Sequence, residues 1–243
     1  MLKKISNYFA YSSVLIFVCV IVIAAIFGDY TLIHKEKYNS MNEAIKFLRY
    51  EVSRGELIMA GIRNRNKKLE LRTMMKKQTG RYLVIDRHNS RFWVRETDKI
   101  LYEGDCGVGM GQRQIRGADY NFETPSGWFS IEDKLEDPWW YRPNWFWYEK
   151  GIHVPRNFIR YPKGISFDKA VAYYNSLSKK DKLKVRAIPG YLGKYVIKIT
   201  EGIYIHYSKN TTGQISHGCI RISNEDAKAI WHLLQIGDPV YIF

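Results

Sequence analysis

The sequence predicts a mainly β (α+β) domain with a C-terminal helix, carried behind an N-terminal transmembrane helix and a helical stalk. Three observations lead there. An unbroken apolar run, Val14 to Phe27, lies within the first thirty residues; short β-rich segments separated by turn residues begin at Gly80; and a capped helix followed by PVYIF closes the chain. The expected organisation is a cytoplasmic tip and anchor over 1–30, a stalk over 31–79 and a folded domain over 80–243.

The anchor comes first. After Lys3 and Lys4, the stretch from Tyr8 to Phe27 is interrupted only by Ser12 and Ser13. At 1.5 Å per residue this run makes about 30 Å of helix, the thickness of a bilayer core. The leading lysines favour an N-inside orientation. A cleaved signal peptide is the alternative, but no small-x-small cleavage site follows the run. Either way the remainder is exported, on a single-pass anchor or free after cleavage.

In the stalk, Ser40 and Glu43 have the spacing of a capping box, and Ala44, Ile45, Leu48 and Val52 recur at helical intervals. RNRNKKLELRTMMKK continues it as a basic helix. The formal charge of +14 suits an anionic neighbourhood. No RNP, zinc-finger or helix-turn-helix pattern is present, so nucleic acid is not the expected partner.

From Gly80 the chain reads as an antiparallel meander, with strands at Tyr82–Ile85, Arg91–Arg95 and Leu101–Cys106 and a further one at Trp128–Ile131. DPWWYRPNWFWYEKG is too rich in prolines and rings for one regular strand. It is read as a core cover or a lid, with Trp139, Trp140 and Trp145 as candidate substrate contacts. Residues 166–182 read as a short helix, GKYVIKITEGIYIHY as strand, and Ser223 with Asp226 as the cap of the final helix, which Gly237 closes.

The chemistry gathers at 206–221. Cys219 has two histidines near it, His217 two residues away and His206 at the end of the preceding strand. A hairpin-like return would set 206 beside 219. A neighbouring histidine is expected to pull a thiol below its free pKa of about 8.5. Gly218 lets backbone N–H groups at 218–219 approach a carbonyl oxygen, and Arg221 is placed to hold a carboxylate. Two other readings of Cys219 stay open. It is a zinc ligand with His206 and His217, a set lacking a fourth ligand and any CxxC or HExxH spacing, or it is the disulfide partner of Cys106 in an oxidising compartment. No metal site is assigned.

SHGCIR at 216–221, with IHY before it and SNEDAKAIWHLLQIGDPVYIF after it, resembles the catalytic domain of bacterial L,D-transpeptidases. The resemblance extends through ETPSGWFSI, DPWWYRPNW and GYLGKYVIKITEGIYIHY, and so covers roughly residues 80–243. It implies a β-sandwich or barrel-like domain acting on peptidoglycan stem peptides, with no metal or organic cofactor. By it Cys219 is the nucleophile and His206 the general base. His217 belongs to the catalytic pocket, Gly218 and Cys219 supply oxyanion donors, and Ser216, Tyr207 and Arg221 lie near substrate. The implied reaction releases D-alanine through a thioester and forms 3→3 crosslinks. Water or a protein amine as acceptor would make it an L,D-carboxypeptidase or an anchoring transferase, and an oxidised Cys219 would leave a non-catalytic wall-binding module. The sequence departs from the family pattern at Tyr207, where many members have glycine, and in a shorter 206–216 connection.

Overall fold

A computed structural model describes residues 15–22 and 41–243. The expected anchor lies mostly outside these residues, as does the Ser40–Glu43 capping box. Residues 15–22 form a helical segment, α1, with exposed side chains apart from one of intermediate exposure. Among the described residues no helix is long and apolar enough to cross a membrane. The chain divides into two compact units, Met1–Arg63 and Asn64–Phe243. Helix α2 spans Met41–Lys76.

The second unit is built on two sheets. The first has the order β3-β2-β1-β15-β7, from β1 (Arg81–Asp86), β2 (Arg91–Glu96), β3 (Lys99–Asp105), β7 (Gly127–Ser130) and β15 (Pro239–Ile242). The second has the order β13-β4-β14-β12-β11-β8, from β4 (Gly107–Gly109), β8 (Asp133–Glu136), β11 (Tyr195–Thr200), β12 (Ile203–Tyr207), β13 (Gly213–Ser216) and β14 (Ile220–Ile222). A hairpin, β5 (Gly111–Ile115) with β6 (Ala118–Phe122), stands apart from both. Its Arg116-Gly117 turn takes positive φ at both residues, the type I′ geometry that matches strand twist.

Both sheets face one core. Leu83, Ile85, Phe92, Val94, Val240 and Ile242 come from the first; Val108, Ile197, Ile199, Ile205, Ile220 and Ile222 come from the second. Helix α6 (Asn224–Leu233) adds Ala227 and Ile230, and Leu234 follows it. Ser223 caps α6 by accepting from Asp226 N at 3.0 Å, as its sequence spacing foretold.

β1 is apolar on both faces because both are covered. Leu83 and Ile85 enter the main core, whereas Tyr82 and Val84 join Tyr241 and Leu71 in a second cluster against which Met75 packs. The last turns of α2 thus belong to the packing of the folded domain. Lys67 Nζ adds a hydrogen bond to the Ser126 carbonyl at 2.7 Å. Leu71→Ala is expected to cost about 2–4 kcal/mol by leaving a cavity over Tyr82 and Tyr241. Urea denaturation followed by tryptophan fluorescence measures it, and an unchanged midpoint would mean that these turns are dispensable to the domain.

Residues 137–192 form a layer of their own: β9 (Trp139–Tyr141) pairs with β10 (Ala187–Pro189), beside α3 (Trp145–Glu149), α4 (Phe167–Ser176) and α5 (Lys179–Lys182). The single helix expected over 166–182 is two, because Ser178 accepts from Asp181 N and starts a new helix. Trp147 is fully buried and donates Nε1–H to the Leu183 carbonyl at 2.8 Å. Arg142 is buried as well. Its guanidinium donates to the Lys182 and Val185 carbonyls and to the Tyr174 hydroxyl.

Candidate active site

Parallel pairing of β12 with β14 sets Ile205 beside Ile220, His206 beside Arg221 and Tyr207 beside Ile222. This corrects the hairpin-like return expected from the sequence. The connection detours through β13, which pairs with β4 in a different part of the same sheet, and so delivers β14 in the same direction as β12. Because side chains alternate, Ile205, Ile220 and Ile222 enter the core while Tyr204, His206, Cys219 and Arg221 all face a cavity on the other side.

That cavity has a volume of about 730 Å³. Trp139, Trp140 and Trp145 line it, together with Ser216 and His217. Tyr141, Phe146 and Tyr191 extend the aromatic wall, and Trp140 stacks on Tyr191 with ring centres 4.2 Å apart. Tyr207, expected near substrate, is not part of the lining. The alternation that turns His206 into the cavity turns Tyr207 away from it, and its N–H is held by the Leu192 carbonyl at 3.0 Å.

His206 is 5% exposed, and its Nδ1 lies 2.8 Å from the Tyr207 carbonyl oxygen. A carbonyl only accepts, so Nδ1 carries the proton and Nε2 keeps its lone pair. Burial lowers the His206 pKa from its ordinary 6.5 to about 4, against the opposing pull of the Tyr207 carbonyl and with further help from Arg221. The imidazole is therefore neutral at pH 7.

Cys219 Sγ is 3.7 Å from the Gly202 carbonyl. Burial raises its pKa, although the Tyr204 N–H and the Arg221 charge pull the other way. This corrects the expected acidified thiolate: the resting pair is a neutral thiol and a neutral imidazole.

Depression of the His206 pKa also shapes stability. Between pH 6.5 and about 4 the unfolded chain holds a proton on this residue and the folded chain does not. Stability therefore rises with pH through this window and is lost as pH falls, by about 3 kcal/mol over the whole interval. Thermal melts from pH 7 to 4 measure it, and His206→Gln should flatten the part of the slope this residue supplies.

His217 is held from three sides. Its ring stacks on Trp145 at 3.8 Å, meets the edge of Phe122 at 4.5 Å, and its Nε2 is 2.7 Å from Glu149 Oε1. Glu149 is a site residue that sequence reasoning missed, and it lies 68 positions from its partner. The layer over 137–192 thus closes on the SHGCIR segment through α3.

The turn at 216–219 is braced by two hydroxyls. Ser216, fully buried, accepts from Gly218 N at 3.1 Å and donates to the Cys219 carbonyl. The Gly218 N–H is thereby hydrogen-bonded within the turn. Thr124, also missed from sequence, is 1% exposed, and its hydroxyl donates to the Gly218 carbonyl at 2.7 Å. Gly218 itself takes φ +113°, a conformation that side chains rarely adopt.

Cys106 and Cys219 are both free thiols. Cys106 lies wholly within the main core, where burial first and Asp105 and Asp86 second push its pKa to about 12. Its sulfur packs among core side chains, while that of Cys219 borders the cavity.

Solved structures similar to this chain include an L,D-transpeptidase variant from Enterococcus faecium, with 19% identity, 68% of this chain and 50% of that chain covered, and a TM-score of 0.43. An L,D-transpeptidase from Xylanimonas cellulosilytica matches at 17% identity, 68% and 61% coverage, and a TM-score of 0.43. An L,D-transpeptidase in complex with imipenem matches at 16% identity, 68% and 59% coverage, and a TM-score of 0.40. The chain thus spans half to about three fifths of these proteins. No curated protein matches it. The family model for the YkuD L,D-transpeptidase catalytic domain matches residues 80–242, which takes in both sheets, the aromatic layer and the whole of the cavity wall. The chain belongs to the YkuD L,D-transpeptidase catalytic domain family.

Proposed function

We propose that this protein is a cysteine-dependent L,D-transpeptidase that acts on peptidoglycan tetrapeptide stems, releases D-alanine and forms 3→3 crosslinks. The observation that carries the reading is the shared cavity face of His206, Cys219 and Arg221, with His206 fixed as the tautomer whose Nε2 can take a proton.

In this mechanism Cys219 Sγ attacks the carbonyl between the third stem residue and the terminal D-alanine. The thiol proton passes to His206 Nε2 as the S–C bond forms, which suits a pair that is neutral at rest. Cys219 N–H stabilises the oxyanion, and the Arg221 guanidinium holds the D-alanine carboxylate. Collapse breaks the C–N bond. The leaving nitrogen takes the proton back from His206, leaving a thioester. The amine of a neighbouring third residue then attacks, gives its proton to His206, and displaces the Cys219 sulfur, which recovers that proton.

The aromatic layer would cover the stem peptide, with Trp139, Trp140 and Trp145 as its contacts. The apolar run behind Lys3 and Lys4 supports a single-pass inner-membrane anchor that holds the domain on the periplasmic side, facing a carboxylate-rich wall that suits its positive charge. Intact mass of the full chain after exposure to a carbapenem, with Cys219→Ala alongside, tests the acylation. An adduct of one drug mass on the wild type and none on the variant supports it. A protein two mass units light with unreactive thiols would turn the reading toward a wall-binding module.

A further inference from the structure

The 216–219 turn holds the nucleophile by way of a residue far away in the chain. Thr124 follows β6 and precedes Pro125. Arg87 fixes its main chain, donating to the Thr124 carbonyl and, from Nε, to the Phe243 carbonyl at 3.0 Å. The Thr124 hydroxyl accepts from Gly109 N at 2.8 Å and donates to the Gly218 carbonyl at 2.7 Å. Both directions are forced, because an N–H only donates and a carbonyl only accepts. The approach is close enough that a Cβ on Gly109 would sit 2.0 Å from the Phe122 carbonyl oxygen and 2.5 Å from Thr124 N.

The consequence follows from peptide geometry. Gly218 C=O and Cys219 N–H belong to one planar trans unit and point in opposite directions. A hydroxyl that fixes the carbonyl therefore fixes the N–H as well. Gly218 N–H is taken by Ser216, so the turn cannot offer that donor without losing a buried hydrogen bond. The 218–219 peptide is free to rotate only as far as Thr124 and Ser216 allow, and Gly218, lacking a Cβ, would otherwise permit wide rotation.

We propose that Thr124 is a positioning residue for acyl transfer: its hydroxyl sets the direction of Cys219 N–H and so presents a preorganised oxyanion donor to the substrate carbonyl. The inference rests on the acylation at Cys219 proposed above. It predicts an effect on steps that build negative charge on oxygen, and none on steps that need only the sulfur.

Two reagents separate these steps on the full-length chain. Carbapenem acylation passes through an oxyanion, whereas iodoacetamide alkylation of Cys219 displaces iodide and does not. Thr124→Val, which keeps shape and removes the hydroxyl, should lower the maximal acylation rate about 10- to 100-fold, somewhat less than outright loss of an oxyanion donor. The half-saturating carbapenem concentration and the alkylation rate should hold, and Thr124→Ser should restore acylation. If the valine variant does not fold, Thr124→Ala makes the same comparison. Acylation at the wild-type rate without the hydroxyl would overturn the inference, as would a parallel loss of acylation and alkylation, which marks a structural role only. A wild-type chain that is alkylated but never acylated would instead remove the reading on which the inference stands, and the inference with it.

Discussion

His206→Gln is expected to lower the rate of acylation at pH 7 by about 10²- to 10⁴-fold, the usual worth of a positioned general base. Two features make the loss large. The Cys219 pKa is raised by burial, so little thiolate exists at pH 7 for attack without a proton acceptor. The Tyr207 carbonyl, by taking Nδ1–H, leaves Nε2 as the acceptor, and a glutamine in its place has no basic nitrogen. The wild-type rate should also resist acid more than a histidine of ordinary pKa would allow. With a pKa of about 4, His206 stays in its base form through pH 5, and the acid limb of the profile should fall near 4 rather than 6.5. Stopped-flow acylation across pH 4–8 measures this. An acid limb near 6.5 would mean that the imidazole is wetter than its burial indicates.

Cys219→Ala is expected to abolish covalent turnover, a loss on the order of 10⁶ where a nucleophile is removed from a histidine-assisted pair. Cys106→Ala provides the contrast. Cys106 is fully buried in the main core and its pKa is pushed to about 12, so its thiol has neither access nor ionisation. Its loss should spare acylation and cost stability through the small cavity it leaves. Equal loss of acylation in both variants would instead show that core packing at Cys106 is needed to hold the site. Acylation rates and thermal midpoints of the two variants, measured side by side, separate these outcomes.

The parts of the domain governed by local rules were legible in the sequence. The strands read at 82–85, 91–95 and 101–106 are β1, β2 and β3 to within two residues at each end, because alternation and turn residues act over a few positions. The Ser223–Asp226 cap is equally local. The strand β12 was read correctly, but its pairing was not. A short connection looks like a hairpin until β13 is seen to take it to a separate place in the sheet, and nothing local in KNTTGQI announces a parallel return. The β5–β6 hairpin was missed although Gly117 marks its turn.

The same division holds at the site. Cys219, His206 and Arg221 were legible because they lie within or beside one segment whose alternation shares a face. Thr124 and Glu149 were not, since each acts on the SHGCIR segment from 94 and 68 residues away through a single side chain. Local reading also misjudged the electrostatics. A histidine beside a cysteine was expected to acidify it, but that expectation assumes the ion pair can be solvated, and burial decides otherwise here.

The most direct measurement is incubation of the full-length protein with a disaccharide carrying a tetrapeptide stem, followed by mass spectrometry of protein and products. Free D-alanine, a transient acyl-enzyme equal to the stem minus D-alanine on Cys219, and a dimer joined through two third residues are expected. Unchanged tetrapeptide and unmodified protein, with Cys219 still open to alkylation, would contradict the proposed acyl transfer.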